Sequence, residues 1–184
     1  MNVSKDIIKP IAVLVIITLV VSAALAVTYR FTKVEDTGPD LNEINTLGKE
    51  LMSEADEFEQ LETEAEGAKY LFKAKNNAGI LVIAEAKGYN GSVPIEFIVG
   101  FDKNGTITGF HVLSQQETPS LGDRVTKEEF SAQLIGKTGN LELKTGSENS
   151  IDGISGATVT TKGVVAGINK ARQVFDTVKG ALVS

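Results

Sequence analysis

The chain has 184 residues, 42% of them hydrophobic, which is enough for one ordinary domain and an appendage. It has no cysteine, one histidine and a net charge of −6. These counts exclude disulfides, cysteine-ligated iron–sulfur clusters, cysteine nucleophiles and a His-rich metal site. They also argue against nucleic acid, whose phosphates need clustered Lys and Arg.

Ile11 to Val27 carry no charge, and Ile7 and Ile8 extend the apolar stretch beyond Lys9. About 20 apolar residues span a bilayer, so residues 1–33 are expected to form a single membrane anchor helix. Pro10 is expected in the first turn, where a missing N–H costs little. Ala24-Leu25-Ala26 resembles a signal-peptidase site, but the apolar run exceeds the usual length of a signal core and favours a retained anchor. Lys5 and Lys9 flank one end and Arg30 and Lys33 the other, so charge alone leaves the orientation open.

Asp36-Thr37-Gly38-Pro39-Asp40 is a turn-rich break. Leu41, Ile44, Leu47, Leu51, Ala55 and Phe58 then recur at helical spacing among Glu43, Glu50, Glu54, Glu57 and Glu59. Residues 34–67 are therefore expected to be a connecting acidic amphipathic helix, with a soluble domain over 68–184.

Strand patterns follow. Tyr70, Phe72 and Ala74 alternate with Leu71, Lys73 and Lys75, and Asn76-Asn77-Ala78-Gly79 turns the chain into Ile80–Ala84. Gly88-Tyr89-Asn90-Gly91 is a loop before Ile95–Val99, and Asp102-Lys103-Asn104-Gly105 is a hairpin turn leading into Thr106–Leu113. His111 lies in that last alternating run and reads as a structural strand residue. A short helix is expected around Lys127–Ile135, and Leu141–Lys144 can supply another strand. The expected fold is α+β, helices packed on an antiparallel sheet.

Two loops carry chemistry. Gln115-Gln116-Glu117-Thr118-Pro119-Ser120-Leu121-Gly122 places a carboxylate, a hydroxyl and a rigid Pro on an exposed turn. Taken by its residues alone, Glu117 is more simply a surface carboxylate, with no histidine or second carboxylate at dyad spacing. Asp152-Gly-Ile-Ser-Gly-Ala-Thr158-Val-Thr-Thr161 runs into a helix carrying Val164, Val165, Ile168, Ala171, Val174, Phe175 and Val178. Thr160 or Thr161 is the expected N-cap, and the helix N-terminus with Lys162 nearby would favour an anion such as phosphate. The same residues also fit a plain loop and cap.

Asp152-Gly-Ile-Ser155-Gly156-Ala157-Thr158 resembles the flavinylation motif Asp-x-x-Ser/Thr-Gly-Ala-Thr of the FMN-binding domain in Rnf-type and Nqr-type respiratory complexes. Upstream, Gly88-Tyr89-x-Gly91, Asp102-x-x-Gly105 and Glu117-Thr118-Pro119-x-Leu121-Gly122 resemble the Rnf-type G subunits in the same order. Ser120 stands where that family usually has Gly, and is strained there if the position needs a positive φ.

The resemblance implies FMN held by a phosphoester to Thr158, with Asp152, Ser155, Gly156 and Ala157 forming the loop read by a flavin transferase that uses FAD. Glu117, Thr118, Leu121, Tyr89 and Lys162 are implied as further flavin contacts, with a charged Glu117 near the ring tuning its potential. No independent catalytic residue is expected. The implied role is a redox subunit of a ferredoxin:NAD oxidoreductase coupled to sodium or proton translocation, with other membrane and cluster-binding subunits as partners. Its soluble domain would lie on the outer side of the cytoplasmic membrane. The rival readings are an Nqr-type C subunit, a stand-alone extracytoplasmic flavin shuttle, and an anchored binding module without cofactor.

Overall fold

The computed structural model describes residues 3–32, 38–62, 65–144 and 146–182. The chain divides into two compact units, Met1–Gly38 and Pro39–Ser184. The expected turn residues Asp36 and Thr37, and the flanking Lys33, lie outside the described residues.

The first unit is helix α1, Val3–Thr32. Its stretch Ile8–Arg30, 23 residues containing an 18-residue window of mean hydropathy 2.8, is exposed throughout and is long and apolar enough to cross a membrane. At 1.5 Å per residue it extends about 35 Å, against a hydrocarbon core of about 30 Å. Pro10 lies inside the helix, not in its first turn, because the helix already begins at Val3. The backbone hydrogen bond that residue 10 would otherwise give to Asp6 is absent there.

The second unit is built on a five-stranded antiparallel meander: β1 Phe58–Leu61, β2 Tyr70–Ala74, β3 Gly79–Ala86, β4 Ile95–Asp102 and β5 Ile107–Ser114, in that spatial order. The β4–β5 hairpin turns as expected. The Asp102 carboxylate accepts from the Asn104 and Thr106 N–H groups at 2.8 Å each, and Gly105 closes the turn at φ +81°. Helix α2, Leu41–Leu51, packs on one face of the sheet, and helix α4, Thr158–Val178, packs on the other.

That double cover explains why the central strand is apolar at almost every position. Ile80, Val82 and Ala84 belong to the core under α4, with Phe97, Val164 and Ile168. Leu81 and Ile83 belong to the core under α2, with Ile44, Met52 and Phe58. A strand buried on both faces loses the apolar–polar alternation of a half-exposed one.

The expected helix over 34–67 is corrected in extent. α2 is capped by Asp40, whose carboxylate accepts from the Asn42 N–H at 2.9 Å, and it stops at Leu51. The Met52 N–H then returns to the Gly48 carbonyl at 2.8 Å, and the Asn45 side chain accepts from the Phe58 N–H at 2.7 Å. This turns the chain back so that Phe58–Leu61 forms an edge strand paired with β2. α2 and β1 are thus part of the fold rather than a connector to it.

After β5 the chain makes a 3₁₀ turn, Gly122–Thr126, and a single-turn helix α3, Glu128–Ser131, shorter than the helix expected around Lys127–Ile135. Strands β6, Glu142–Leu143, and β7, Ser150–Ile151, pair in parallel and deliver the chain to α4. Room for α4 comes from Gly163, where a Cβ would land on the Lys87 carbonyl oxygen.

Candidate functional site

Three segments meet at the N-terminal end of α4: the loop after β3, the loop after β5 and the loop from β7. They enclose a cleft of about 480 Å³ lined by Tyr89, Glu117, Thr118, Leu121, Gly122, Gly156, Ala157, Thr158, Val159 and Thr160. Tyr89, Leu121 and Val159 are exposed at 73%, 42% and 54%, which gives the cleft an apolar wall open to solvent. Seven of the ten residues singled out in the sequence therefore come together: Tyr89, Glu117, Thr118, Leu121, Gly156, Ala157 and Thr158. Asp152 and Ser155 line a separate cleft of about 270 Å³ with Arg124 and Gln133, on the other flank of the same loop. Lys162 lines neither cleft and lies exposed on α4, one turn beyond Thr158.

The loop into α4 is preformed. Gly156 takes φ +80°, a backbone conformation that a β-carbon disfavours, and the Ala157 N–H closes a turn on the Ile154 carbonyl at 3.0 Å. The Asp152 N–H is held by the Gln133 side-chain oxygen at 2.7 Å. The helix begins at Thr158, with Ala157 at the cap position and no side-chain cap, so neither Thr160 nor Thr161 is the N-cap.

Both threonines are instead buried in the first turn. The Thr161 hydroxyl donates to the Ala157 carbonyl at 2.9 Å and accepts from the Ile154 N–H at 3.1 Å, so it holds the loop from inside the helix. The Thr160 hydroxyl donates to Glu117 Oε2 at 2.5 Å. Thr158 differs from both: it is exposed in the cleft, and its hydroxyl makes no hydrogen bond among the described residues. The first N–H groups of α4 have no intrahelical acceptor and leave the positive end of the helix beside that hydroxyl.

Glu117 corrects the reading of an exposed carboxylate, since it is only 6% exposed. Besides Thr160, it accepts from the Tyr89 N–H at 3.1 Å and the Asn90 N–H at 2.9 Å. Ser120 does occupy the left-handed region, at φ +62°, so this loop keeps the geometry that suits glycine and holds a serine in it. Sequence reasoning passed over Val159, Thr160 and Gly122 as parts of the cleft. An apolar residue left exposed between helix-start hydroxyls was the available signal for Val159.

The FMN-binding domain family matches residues 88–173, which run from Gly88, before the Tyr89 loop, through most of α4. The fold is that of an FMN-binding domain. Among curated relatives, the G subunit of the ion-translocating oxidoreductase complex of Methanosarcina acetivorans is 28% identical over 93% of this chain and 95% of its own. The G subunit of the proton-translocating ferredoxin:NAD(+) oxidoreductase complex of Clostridium ljungdahlii is 32% identical over 74% of each chain. The crystal structure of Shewanella oneidensis NqrC is similar at TM-score 0.52 and 25% identity, over 67% of this chain and 68% of that one. The chain belongs to the family of G subunits of Rnf-type ion-translocating oxidoreductase complexes.

Proposed function

We propose that this chain carries FMN covalently on Thr158, through a phosphoester to its hydroxyl. It would relay electrons within an Rnf-type ferredoxin:NAD oxidoreductase that translocates sodium or protons. The observation that carries the attachment site is the contrast among three hydroxyls at the start of α4. Thr160 and Thr161 are buried and committed, while Thr158 is exposed and free.

The residues present fit the cofactor. An apolar wall of Tyr89, Leu121 and Val159 suits an aromatic ring, Thr118 adds a hydroxyl, and the α4 N-terminus suits a phosphodiester. When bound, FMN supplies the redox chemistry; the chain holds it, excludes water from part of its surface and sets its surroundings.

Attachment would be made by a flavin transferase that uses FAD and acts where the domain lies outside the cytoplasmic membrane, anchored by α1. In that transfer the Thr158 oxygen bonds to the flavin-side phosphorus of FAD and AMP leaves. The hydroxyl proton passes to a base of the transferase. Asp152 and Ser155, in their own cleft beside the loop, are free to be read by that enzyme while Thr158 faces the flavin side.

The test is the mass of the denatured protein from its native membrane, with peptide mapping. An increment of FMN less water on the Thr158 peptide is expected. Thr158→Ala should remove it while changing folding stability by no more than about 0.5 kcal/mol, as for an exposed residue without partners. Covalent flavin persisting in that variant would transfer the site to another hydroxyl.

A further inference from the structure

We propose that Glu117 is a positioning residue and not a flavin ligand: its buried carboxylate locks the Tyr89 turn and its own loop onto the first turn of α4, and so shapes the cleft at Thr158. The purpose of the lock rests on the FMN reading above, whereas the lock itself is a property of this chain alone.

Three donors from two distant segments converge on the two carboxylate oxygens. Oε2 takes the Tyr89 N–H and the Thr160 hydroxyl, and Oε1 takes the Asn90 N–H. The turn is held a second time by the Asn90 side chain, which donates to the Gln116 carbonyl at 2.9 Å. A carboxylate is an acceptor-only group, and three donors are what it needs when water is withheld.

Two glycines make space for it. A Cβ on Gly88 would strike Oε1, and one on Gly122 would lie 2.5 Å from Oε2 and 2.7 Å from the Glu117 Cβ. Neither glycine has a positive φ, so room for this side chain is the reason for both. The elements so joined carry Tyr89, Leu121 and Thr158, which are the wall and the acceptor of the cleft.

The isosteric Glu117→Gln variant replaces one acceptor oxygen by a donor. With the amide nitrogen at the Oε1 position it faces the Asn90 N–H, and at the Oε2 position it faces the Tyr89 N–H. Either way the turn loses a hydrogen bond. Thr160→Val removes the link to α4 and leaves the two backbone donors in place.

The experiment measures hydrogen exchange at the Tyr89 and Asn90 amides of the full chain in detergent, without flavin, for wild type, Glu117→Gln, Thr160→Val and the double variant. The extent of covalent loading by a flavin transferase with FAD is then read by intact mass. Glu117→Gln should speed exchange by at least about tenfold, the loss of one charge-assisted hydrogen bond. Thr160→Val should move exchange the same way by less, and the double variant should not exceed Glu117→Gln. Loading should fall in the same order.

Exchange unchanged in Glu117→Gln overturns the proposal. So does a shifted flavin absorption band in loaded Glu117→Gln when Thr160→Val and the exchange rates stay at wild type, because that pattern marks a direct ligand. If wild type takes no flavin, the FMN reading fails, and the exchange rates still decide on the lock.

Discussion

Helix α4 is tied down at both ends by a buried charge, and the two ends do different things. At its start, Thr160 reaches Glu117, a carboxylate that gathers two backbone N–H groups from the loop after β3. Toward its other end, Arg172 is 5% exposed and donates to the carbonyls of Gly105 at 2.5 Å, Thr138 at 2.8 Å and Lys137 at 3.3 Å. Its guanidinium also lies 5.0 Å from the Phe101 ring centroid. Burial pushes the Arg172 pKa down from its usual value.

The two charges solve the same problem, loops that must be joined to a helix where backbone groups lack partners. Both ends have an exposed hydroxyl nearby, Thr158 at one and Thr138 at the other, but only Thr158 lines the cleft of about 480 Å³. A buried charge therefore does not mark a site by itself, and neither does a free hydroxyl. The cleft beside them does.

The largest effect is expected at Arg172. Arg172→Met keeps apolar volume but leaves the Gly105 and Thr138 carbonyls without their donor, while Lys137 keeps the Ile107 N–H at 2.9 Å, and should destabilise the protein by about 3 kcal/mol. Denaturant unfolding measures this. The folded fraction should still load flavin to the wild-type extent, because the Arg172 end lies about 21 Å along the helix from Thr158. Loss of loading in folded Arg172→Met would mean that the two ends are not independent.

A smaller effect sharpens the site end. Ser120 in the left-handed region costs roughly 1–2 kcal/mol relative to ordinary backbone, and a glycine there returns that strain but gives part of it back through a freer unfolded chain. Ser120→Gly should raise stability by about 0.5 kcal/mol net and leave the Glu117 lock intact. A loss of stability on thermal unfolding would show that the serine side chain has a partner worth more than the strain.

Much of this was readable from the residues, and the failures have physical causes. The meander was legible because its turns, Asn76–Gly79 and Asp102–Gly105, carry the residues such turns demand. Strand β1 was not, because Phe58 continues the helical spacing of Leu51 and Ala55. Tertiary packing overrode that phase: Phe58 fits against Gly48, where a side chain on residue 48 would collide with its ring.

In the site, the motif around Thr158 was legible as local sequence. The role of Glu117 was not, because its partners lie 27, 28 and 43 residues away and two of them are backbone N–H groups with no side-chain signature. Thr160 and Thr161 looked like caps because hydroxyls before an apolar helix usually are. Gly156 instead let the helix begin at Thr158, which turned both hydroxyls inward.

The smallest expected effect comes from charges that resemble the buried locks but lie in water. Lys75 meets Glu57 at 2.6 Å, and Asp56 accepts from the Glu57 N–H at 2.6 Å and the Asn76 N–H at 3.1 Å, joining the start of β1 to the β2–β3 turn. The hydrogen bond from Lys75 holds the Glu57 carboxyl below its usual range, and the Glu57 N–H does the same for Asp56. A folded-state pKa that is lowered contributes stability above the unfolded value and loses it as pH falls through the folded one. The contribution should therefore be complete at neutral pH and fade below the ordinary carboxylate values of 4.5 and 3.8. Because these groups are fully solvated, the loss should appear as faster exchange of β1 amides in acid and not as global unfolding. Lys75→Met should weaken that pH dependence, leaving the part due to Asp56. A cooperative loss of the whole domain over the same pH range would instead mean that an exposed pair matters as much as a buried one, and that burial is not what separates the two ends of α4 from the rest of the surface.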